Sequence, residues 1–139
     1  MLFRSPRRGA LLLTHGFGQN RYAWHLPGRS FVNHLAAAGW DVFNLELRGH
    51  GRSGALGSAP GAALDEYVAD DLPAALAATL AVSGASRAFL LGHSLGGLVA
   101  YAAAPSLGDR VAGLDGVLAQ TGNRVQHALR AYKIGRAHV

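Results

Sequence analysis

The sequence has 139 residues, of which 50% are apolar and 15% are charged, a composition that favours a folded domain over a disordered chain. The net charge is +5, but the twelve arginines are scattered, and their one cluster, at Arg4, Arg7 and Arg8, has no interleaved aromatic residues. This pattern argues against a nucleic-acid surface. Without cysteine the chain has no disulfide, no thiolate metal site and no cysteine nucleophile.

The apolar runs of the sequence are all short. The run at 10–14 is too short for the core of a signal peptide, and no run approaches the roughly 18 residues of a membrane span. We therefore expect a cytoplasmic protein without a transmembrane segment, unless a signal sequence precedes the first residue.

Four of these runs alternate with helical patterns, an order that is typical of a parallel sheet with helices on both faces. They predict strands at residues 10–14, 41–47, 87–91 and 110–118. The first crossover helix is predicted at 30–38, where Phe31, Val32 and Leu35 share one face and Gly39 follows as a C-terminal cap. The predicted fold class is therefore α/β.

The second crossover helix is predicted from apolar residues that recur every four positions: Leu64, Val68, Leu72, Leu76 and Leu80. Pro73 interrupts this pattern. We interpret Asp71 as the cap of a restarted helix with Pro73 in its first turn, where the missing N–H costs little. The third helix is predicted to begin at Ser94 and to end near Ala104, before Pro105.

Residues 49–54 read Gly-His-Gly-Arg-Ser-Gly and satisfy the dinucleotide-binding pattern G-x-G-x-x-G after a predicted strand. In a dinucleotide site this turn passes directly into a helix. Residues 55–63 are instead rich in Gly, Ser, Pro and Ala and have no helical period. We therefore expect no cofactor here and interpret the segment as a loop that shapes a pocket.

Residues 92–96 read Gly-His-Ser-Leu-Gly and match the nucleophile elbow G-x-S-x-G between a predicted strand and a predicted helix. Such a sharp turn needs glycine where a side chain would collide with backbone, and it exposes the serine hydroxyl. We predict Ser94 as a catalytic nucleophile and the N–H of Leu95, at the helix N-terminus, as an oxyanion donor. The alternative is a glycine-rich helix start capped by a serine.

A second oxyanion donor is predicted in the loop after the first strand, which reads His15-Gly16-Phe17-Gly18. The N–H of Phe17 is the candidate, since Gly16 lets the backbone approach the substrate oxygen closely. His15 is a candidate general base, although a histidine at a strand end is more often a structural hydrogen-bonding group. We expect substrate contacts from four residues of the two motifs: His15, Gly16, Gly18 and His93.

The segments 15–18, 45–53 and 92–97 together resemble the α/β-hydrolase superfamily in sequence, order and spacing. The resemblance implies a partial α/β-hydrolase fold over about residues 10–120, in which the family's third to sixth strands lie in the order 4-3-5-6. The strand order reverses between strands 3 and 5, so the crevice is expected at their carboxyl ends, where Phe17 and Ser94 lie. Glu46 stands where the family more often has Asp.

The same resemblance implies that an acid and then a histidine follow the nucleophile, after later strands. Asp115 and His127 have this order, but Asp115 falls inside a predicted strand instead of at its carboxyl end. We therefore interpret residues 1–133 as an incomplete domain in which residues 120–132 begin a lid. Residues 134–139 fit no element and are interpreted as a non-native tail. Such a fragment is expected to be inactive alone.

The predicted function is hydrolysis of a carboxylic ester or thioester through an acyl-serine intermediate, with a small acyl ester or lipid-like molecule as substrate. Two alternatives stay open. An acyltransferase would use the same Ser94 with an alcohol or thiol as acceptor, and a non-catalytic binding module would keep the fold without forming the adduct. No cofactor, metal ion or nucleic acid is expected as a partner.

Overall fold

The structure is a computed structural model that describes residues 7–117. Its strands are β1 (Gly9–Thr14), β2 (His25–Leu26), β3 (Arg29–Ser30), β4 (Trp40–Leu45), β5 (Ala88–His93) and β6 (Val111–Val117). Its helices are α1 (Phe31–Ala37), α2 (Gly51–Ala55), α3 (Leu64–Glu66), α4 (Leu72–Ser83) and α5 (Leu95–Leu107). The predicted tail, the predicted lid and His127 lie outside the described residues.

The main sheet contains four parallel strands in the spatial order β4-β1-β5-β6. This order confirms the predicted α/β class and the predicted arrangement of strands. The register aligns Thr14 of β1 with both Leu45 of β4 and Gly92 of β5. Since parallel strands end at the same edge of a sheet, the segments that follow β1 and β5 emerge side by side. The sequence did not predict the small antiparallel pair of β2 and β3.

The core lies where α4 and α5 pack on the sheet. Its largest fully buried apolar side chains come from the strands, the two helices and the turn after β4: Leu12, Leu13, Leu47, Leu72, Leu76, Leu90, Val99 and Val111. Burial of one such side chain stabilises the fold by about 1.5–3 kcal/mol. The predicted apolar face of α1 is only partly buried, since Phe31 is 41% exposed. Within residues 7–117, no helix is long and apolar enough to cross a membrane.

Asp71 was predicted to cap a restarted second crossover helix, and this prediction is wrong. A π-helical turn at Tyr67–Asp71 links α3 directly to α4, and Asp71 has helical backbone angles without a capping bond. Its carboxylate instead accepts the Arg48 N–H at 3.0 Å and the Arg48 Nε–H at 2.8 Å. The side-chain bond to Asp71 and the charge of its carboxylate raise the pKa of Arg48, and the charges of Glu66 and Asp70 add to this shift. The wider π turn precedes Pro73, which lies in the first turn of α4 as predicted.

The third helix continues through Pro105 to Leu107, so the predicted end before this proline is wrong. Pro105 lies in the last turn, where its missing N–H removes one helical hydrogen bond, and the helix still continues for two residues. The Ser106 Oγ also donates to the Ala103 carbonyl at 2.9 Å, which adds a hydrogen bond in this turn.

Residues 51–55 form the short helix α2, which lies within the glycine-rich segment and was not predicted. Residues 56–63 contain no helix, in agreement with the prediction for the segment after the motif. The Arg52 N–H donates to Glu46 Oε2 at 2.8 Å, and the Ser53 Oγ donates to the Glu46 carbonyl at 3.1 Å. Burial alone would raise the pKa of the Glu46 carboxyl, but the N–H groups of Arg21 and Arg52 and the Arg21 guanidinium lower it. The helix ends after five residues and is not the crossover helix of a dinucleotide site.

His15 is completely buried directly after β1. Its Nε2 accepts the Leu47 N–H at 3.1 Å, so the neutral ring carries its proton on Nδ1, which donates to the Gly16 carbonyl at 2.8 Å. Burial lowers the pKa of His15, and nearby His50 lowers it further, while the bond to Gly16 and the charge of Glu46 act in the opposite direction. The neutral ring therefore fastens β1 to the segment after β4.

Gly96→Ala is expected to destabilise the protein more than Gly84→Ala. A Cβ at Gly96 would overlap the carbonyl oxygens of Thr14 and His15, whereas a Cβ at Gly84 meets nothing within 4 Å and only strains a backbone with φ of +72°. The expected losses are about 3 kcal/mol or more for Gly96→Ala and about 1 kcal/mol for Gly84→Ala. Urea unfolding measures both, and equal losses would show that the overlap is relieved without cost.

Acidification is expected to weaken the fold through His15. Because the folded state disfavours the charged ring, the free energy of unfolding is highest above the ordinary pKa of 6.5 and falls as the pH drops below it. His15→Gln is expected to be less stable at about pH 7.5 but to lose less stability on going to about pH 5.

The measurement is the urea midpoint at several pH values for the wild type, His15→Gln and His34→Gln. His34 lies exposed on α1 and serves as a matched histidine control. If the wild type and His15→Gln showed the same slope of stability against pH, burial of a neutral His15 would not be the cause.

Candidate active site

The turn between β5 and α5 places Ser94 in a strained conformation. Its φ is +50° and its ψ is −113°, and it is the only non-glycine residue with positive φ among the described residues. Such a conformation costs on the order of 1–3 kcal/mol and persists where the surroundings enforce it. A Cβ at Gly92 would overlap the backbone of Gly96 and Gly97, so the turn closes only with glycine at that position.

The Ser94 hydroxyl is free, since it neither caps α5 nor forms another hydrogen bond within residues 7–117. The Ser94 carbonyl accepts the Leu98 N–H at 3.1 Å, which fixes the residue to the first turn of the helix. The N–H of Leu95 is also unpaired within the described part of the chain. It lies at the positive end of the dipole of a 13-residue helix, beside the hydroxyl.

The loop after β1 comes close to Ser94 at Gly16. A Cβ built on Gly16 would lie 3.3 Å from the Ser94 Cβ and 3.0 Å from His93 Nδ1, so this face of Gly16 is turned towards the serine. The Gly16 N–H and carbonyl both form hydrogen bonds inside the loop. The next N–H, that of Phe17, donates to no group of residues 7–117. The Phe17 ring is 78% exposed.

The structure thus brings together five of the residues that the sequence singled out: Gly16, Phe17, His93, Ser94 and Leu95. Gly18 follows in the same loop, with φ of +68° and open space around its Cα. His15 was expected to contact the substrate, but it does not lie at the surface with the other residues. Because it is fully buried and both ring nitrogens are bonded to backbone, the geometry favours its structural role over a role as base or substrate ligand.

Three aromatic rings lie on the elements next to the serine turn, and one of them is close to His93. The Trp24 ring lies 6.5 Å from the His93 ring and 5.9 Å from the Phe31 ring, measured between centroids. The Phe17 ring stands edge-on to His50 at 6.0 Å. The Trp24 Nε1 is buried and has no partner within the described residues. We call Phe17, Trp24 and Phe31 the aromatic rim; it offers apolar contact area next to a polar turn.

The role of Gln19 in the site was not predicted from the sequence. Its Oε1 accepts the Gly16 N–H at 3.0 Å and lies 3.1 Å from His93 Nδ1, so it connects the two loops. A search for a partner to the Gly16 N–H in the tight turn of residues 16–19 would have pointed to a nearby amide or carboxylate side chain, and Gln19 is the first such residue after Gly16.

The structure does not bring Asp115 to the serine turn. It lies within β6, where its register partner is Leu91 of β5, three positions before Ser94. The described residues contain no group of three or more His, Asp or Glu side chains that could hold a metal ion.

Two shallow depressions of about 430 and 410 Å³ border the loop after β4 and share Arg48, Ser58 and Asp71 in their lining. Their position agrees with the interpretation of this loop as shaping a pocket, but Ser94 lines neither. The backbone around Ser94, and not a cavity, therefore defines the candidate active site.

Comparison with known proteins assigns the family. The family model described as alpha/beta hydrolase fold matches residues 9–129. Epoxide hydrolase B of Mycobacterium tuberculosis is 34% identical over 107 residues, which are 77% of this chain and 28% of that protein. The pimeloyl-[acyl-carrier protein] methyl ester esterase of Aliivibrio fischeri is 35% identical over 104 residues, which are 75% of this chain and 34% of that protein.

The solved structure of the monoacylglycerol lipase of Paleococcus ferrophilus superposes on this one with a TM-score of 0.56 at 28% sequence identity. The superposed part is 82% of this chain and 40% of the lipase chain. The chain spans about a third of the length of the two curated relatives, the epoxide hydrolase and the methyl ester esterase. The family model spans most of the chain, and the parallel four-stranded sheet with its helices is consistent with that fold. The chain belongs to the α/β-hydrolase fold family and is related to hydrolases.

Proposed function

We propose that the protein is a serine hydrolase that cleaves carboxylic esters or thioesters through an acyl-Ser94 intermediate. The observation that carries this proposal is the geometry of Ser94, whose strained φ of +50° presents an unbonded hydroxyl at the start of α5. A structural serine at a helix start would use its hydroxyl as a cap, and Ser94 does not. The residue is therefore available for chemistry.

The reaction begins when the Ser94 Oγ attacks the carbonyl carbon of the substrate and its proton passes to a base. The resemblance to the family implies that a later histidine, supported by an acid, serves as this base. Negative charge develops on the carbonyl oxygen as the tetrahedral intermediate forms. The unpaired N–H groups of Phe17 and Leu95 supply hydrogen bonds to that charge, and each such donor is worth about 3 kcal/mol at the transition state.

Collapse of the intermediate expels the alcohol or thiol, which takes up the proton, and leaves an ester between the acyl group and Ser94. Water then attacks this ester by the same route, which releases the acid and restores the serine. The aromatic rim reaches the serine turn through the contact of Trp24 with His93 and supplies apolar contact area. An acyl or alcohol group with apolar character fits this surface better than a charged one.

The nature of the nucleophile favours ester cleavage over epoxide opening, although several relatives are named epoxide hydrolases. Attack of a serine oxygen on an epoxide carbon would give an ether. An ether has no carbonyl carbon for water to attack, so the enzyme would stop after one turnover. A serine ester, in contrast, has such a carbon and can be hydrolysed. Ser94 therefore suits the chemistry that the name of the methyl ester esterase describes.

The full-length gene product is expected to be labelled on Ser94 by a fluorophosphonate, which a reactive serine attacks with loss of fluoride. Ser94→Ala should abolish labelling, because the attacking oxygen is gone. Ser106→Ala, which changes an exposed serine of α5, should leave it unchanged. Mass spectrometry of the labelled peptide reads out the site, and an unlabelled protein or a label on another serine would refute the proposed nucleophile.

The same protein is expected to hydrolyse p-nitrophenyl butyrate with repeated turnover and to consume no more than one equivalent of styrene oxide. The reason is that the serine ether formed from the epoxide cannot be released by water. Chromatographic detection of the diol over time makes the distinction. Formation of many equivalents of diol that depends on Ser94 would overturn the assignment to ester chemistry.

A further inference from the structure

The Gln19 side chain joins two loops that are far apart in the sequence. Its Oε1 accepts the Gly16 N–H at 3.0 Å, and the same atom lies 3.1 Å from Nδ1 of His93, which is 74 residues further along the chain. The Gly16 N–H can only donate, so the amide atom that faces it has to be the oxygen. An amide oxygen only accepts, and Nδ1 of His93 therefore carries the proton of this second bond.

Gln19 also forms a hydrogen bond with the Gly16 carbonyl. Its backbone N–H donates to the Gly16 carbonyl at 3.2 Å, and the buried His15 donates to the same carbonyl from Nδ1 at 2.8 Å. The Gly16 N–H and carbonyl are thus both bonded, and Gln19 contributes to each bond. This leaves the Phe17 N–H as the first unbonded donor of the loop, within residues 7–117.

The direction of the Phe17 N–H follows from these bonds. This N–H belongs to the same peptide group as the Gly16 carbonyl, and a trans peptide is planar, with its N–H and C=O pointing in opposite directions. The structure has no cis peptide bond among the described residues. Any group that fixes the Gly16 carbonyl therefore also aims the Phe17 N–H.

We propose that Gln19 is a positioning residue that aims the Phe17 N–H at the developing oxyanion and holds it in register with the Ser94 turn through His93. The inference rests on the proposed function of Ser94. The two side-chain bonds, to the Gly16 N–H and to His93 Nδ1, hold Gly16 at a fixed distance from the Ser94 turn. The backbone N–H of Gln19, together with His15, sets the orientation of the Gly16–Phe17 peptide. Gln19 itself lies exposed at the surface, outside the core, so removal of its amide should leave the fold intact.

The test uses Gln19→Met in the full-length gene product, because methionine has a similar length and lacks the amide oxygen. The kcat for p-nitrophenyl butyrate and the rate of fluorophosphonate labelling are expected to fall by about 10-fold or more, with KM nearly unchanged. Asn20→Ala is the matched control. It removes the neighbouring side-chain bond, from the Tyr22 N–H to Asn20 Oδ1 at 3.0 Å, without touching Gly16 or His93, and should leave both rates unchanged.

The double variant Gln19→Met with His93→Ala tests the connection between the loops. If Gln19 acts through His93, its substitution should lower kcat less when His93 is already replaced than it does in the wild type. Additive losses would limit the role of Gln19 to its own loop and overturn the bridging part of the proposal.

The outcomes separate the two proposals. If the wild type is not labelled on Ser94, the proposed function fails and the role of Gln19 fails with it. If the wild type is labelled and Gln19→Met reacts equally fast, the positioning role alone is refuted. A lower melting temperature with an unchanged kcat at 25 °C would show that Gln19 only stabilises the loop, which also refutes the proposal.

Discussion

The contact on which the site depends is the close approach of the start of α5 to the end of β1. Gly96 packs against the carbonyl oxygens of Thr14 and His15, and even a methyl group at Gly96 would overlap them. The contact exists because β1 and β5 are neighbours in register, with Thr14 opposite Gly92. It brings the N-terminus of a helix to the loop after a different strand. The N–H groups of Phe17 and Leu95, both without a partner among residues 7–117, thereby come to the same edge of the sheet.

The same packing explains how Ser94 can remain in an unfavourable conformation. A positive φ in a serine costs on the order of 1–3 kcal/mol, which a flexible loop would relieve. Here the residues on both sides are fixed: His93 ends a paired strand, and Leu95 begins a helix whose second residue has no room to move. The buried His15 fastens the opposing loop to the segment after β4 by a bond to Leu47. Strain at the serine is thus balanced by core packing several residues away.

Strands and turns that follow from local sequence patterns were predicted correctly. Features that depend on a contact between one side chain and a distant residue were missed. Apolar runs and glycine spacing were sufficient for the four strands and the turn at Ser94, and the resemblance to the α/β-hydrolase superfamily supplied the strand order. The end of α5 was misplaced because the proline was taken as a stop, whereas the helix loses only the one bond of Pro105 and Ser106 adds a side-chain bond in the same turn. Asp71 was taken for a cap because Arg48, its partner 23 residues away, is visible only in three dimensions. Gln19 was missed for the same reason, since its contact with His93 joins two motifs that the sequence shows separately.

The overall similarity of the chain to its relatives does not choose between their activities, because an epoxide hydrolase and a methyl ester esterase match it at 34% and 35% identity over nearly the same length. What the fold supplies to either reaction is general: a strand, a sharp turn, a helix N-terminus and an opposing loop with free N–H groups. Under the proposed serine mechanism, the two electrophiles give different adducts with the hydroxyl oxygen. Attack on an ester carbonyl carbon gives an ester that water can hydrolyse, whereas attack on an epoxide carbon gives an ether that water does not release. The proposed ester chemistry therefore rests on the identity of one residue, Ser94, and not on the overall identity to either relative.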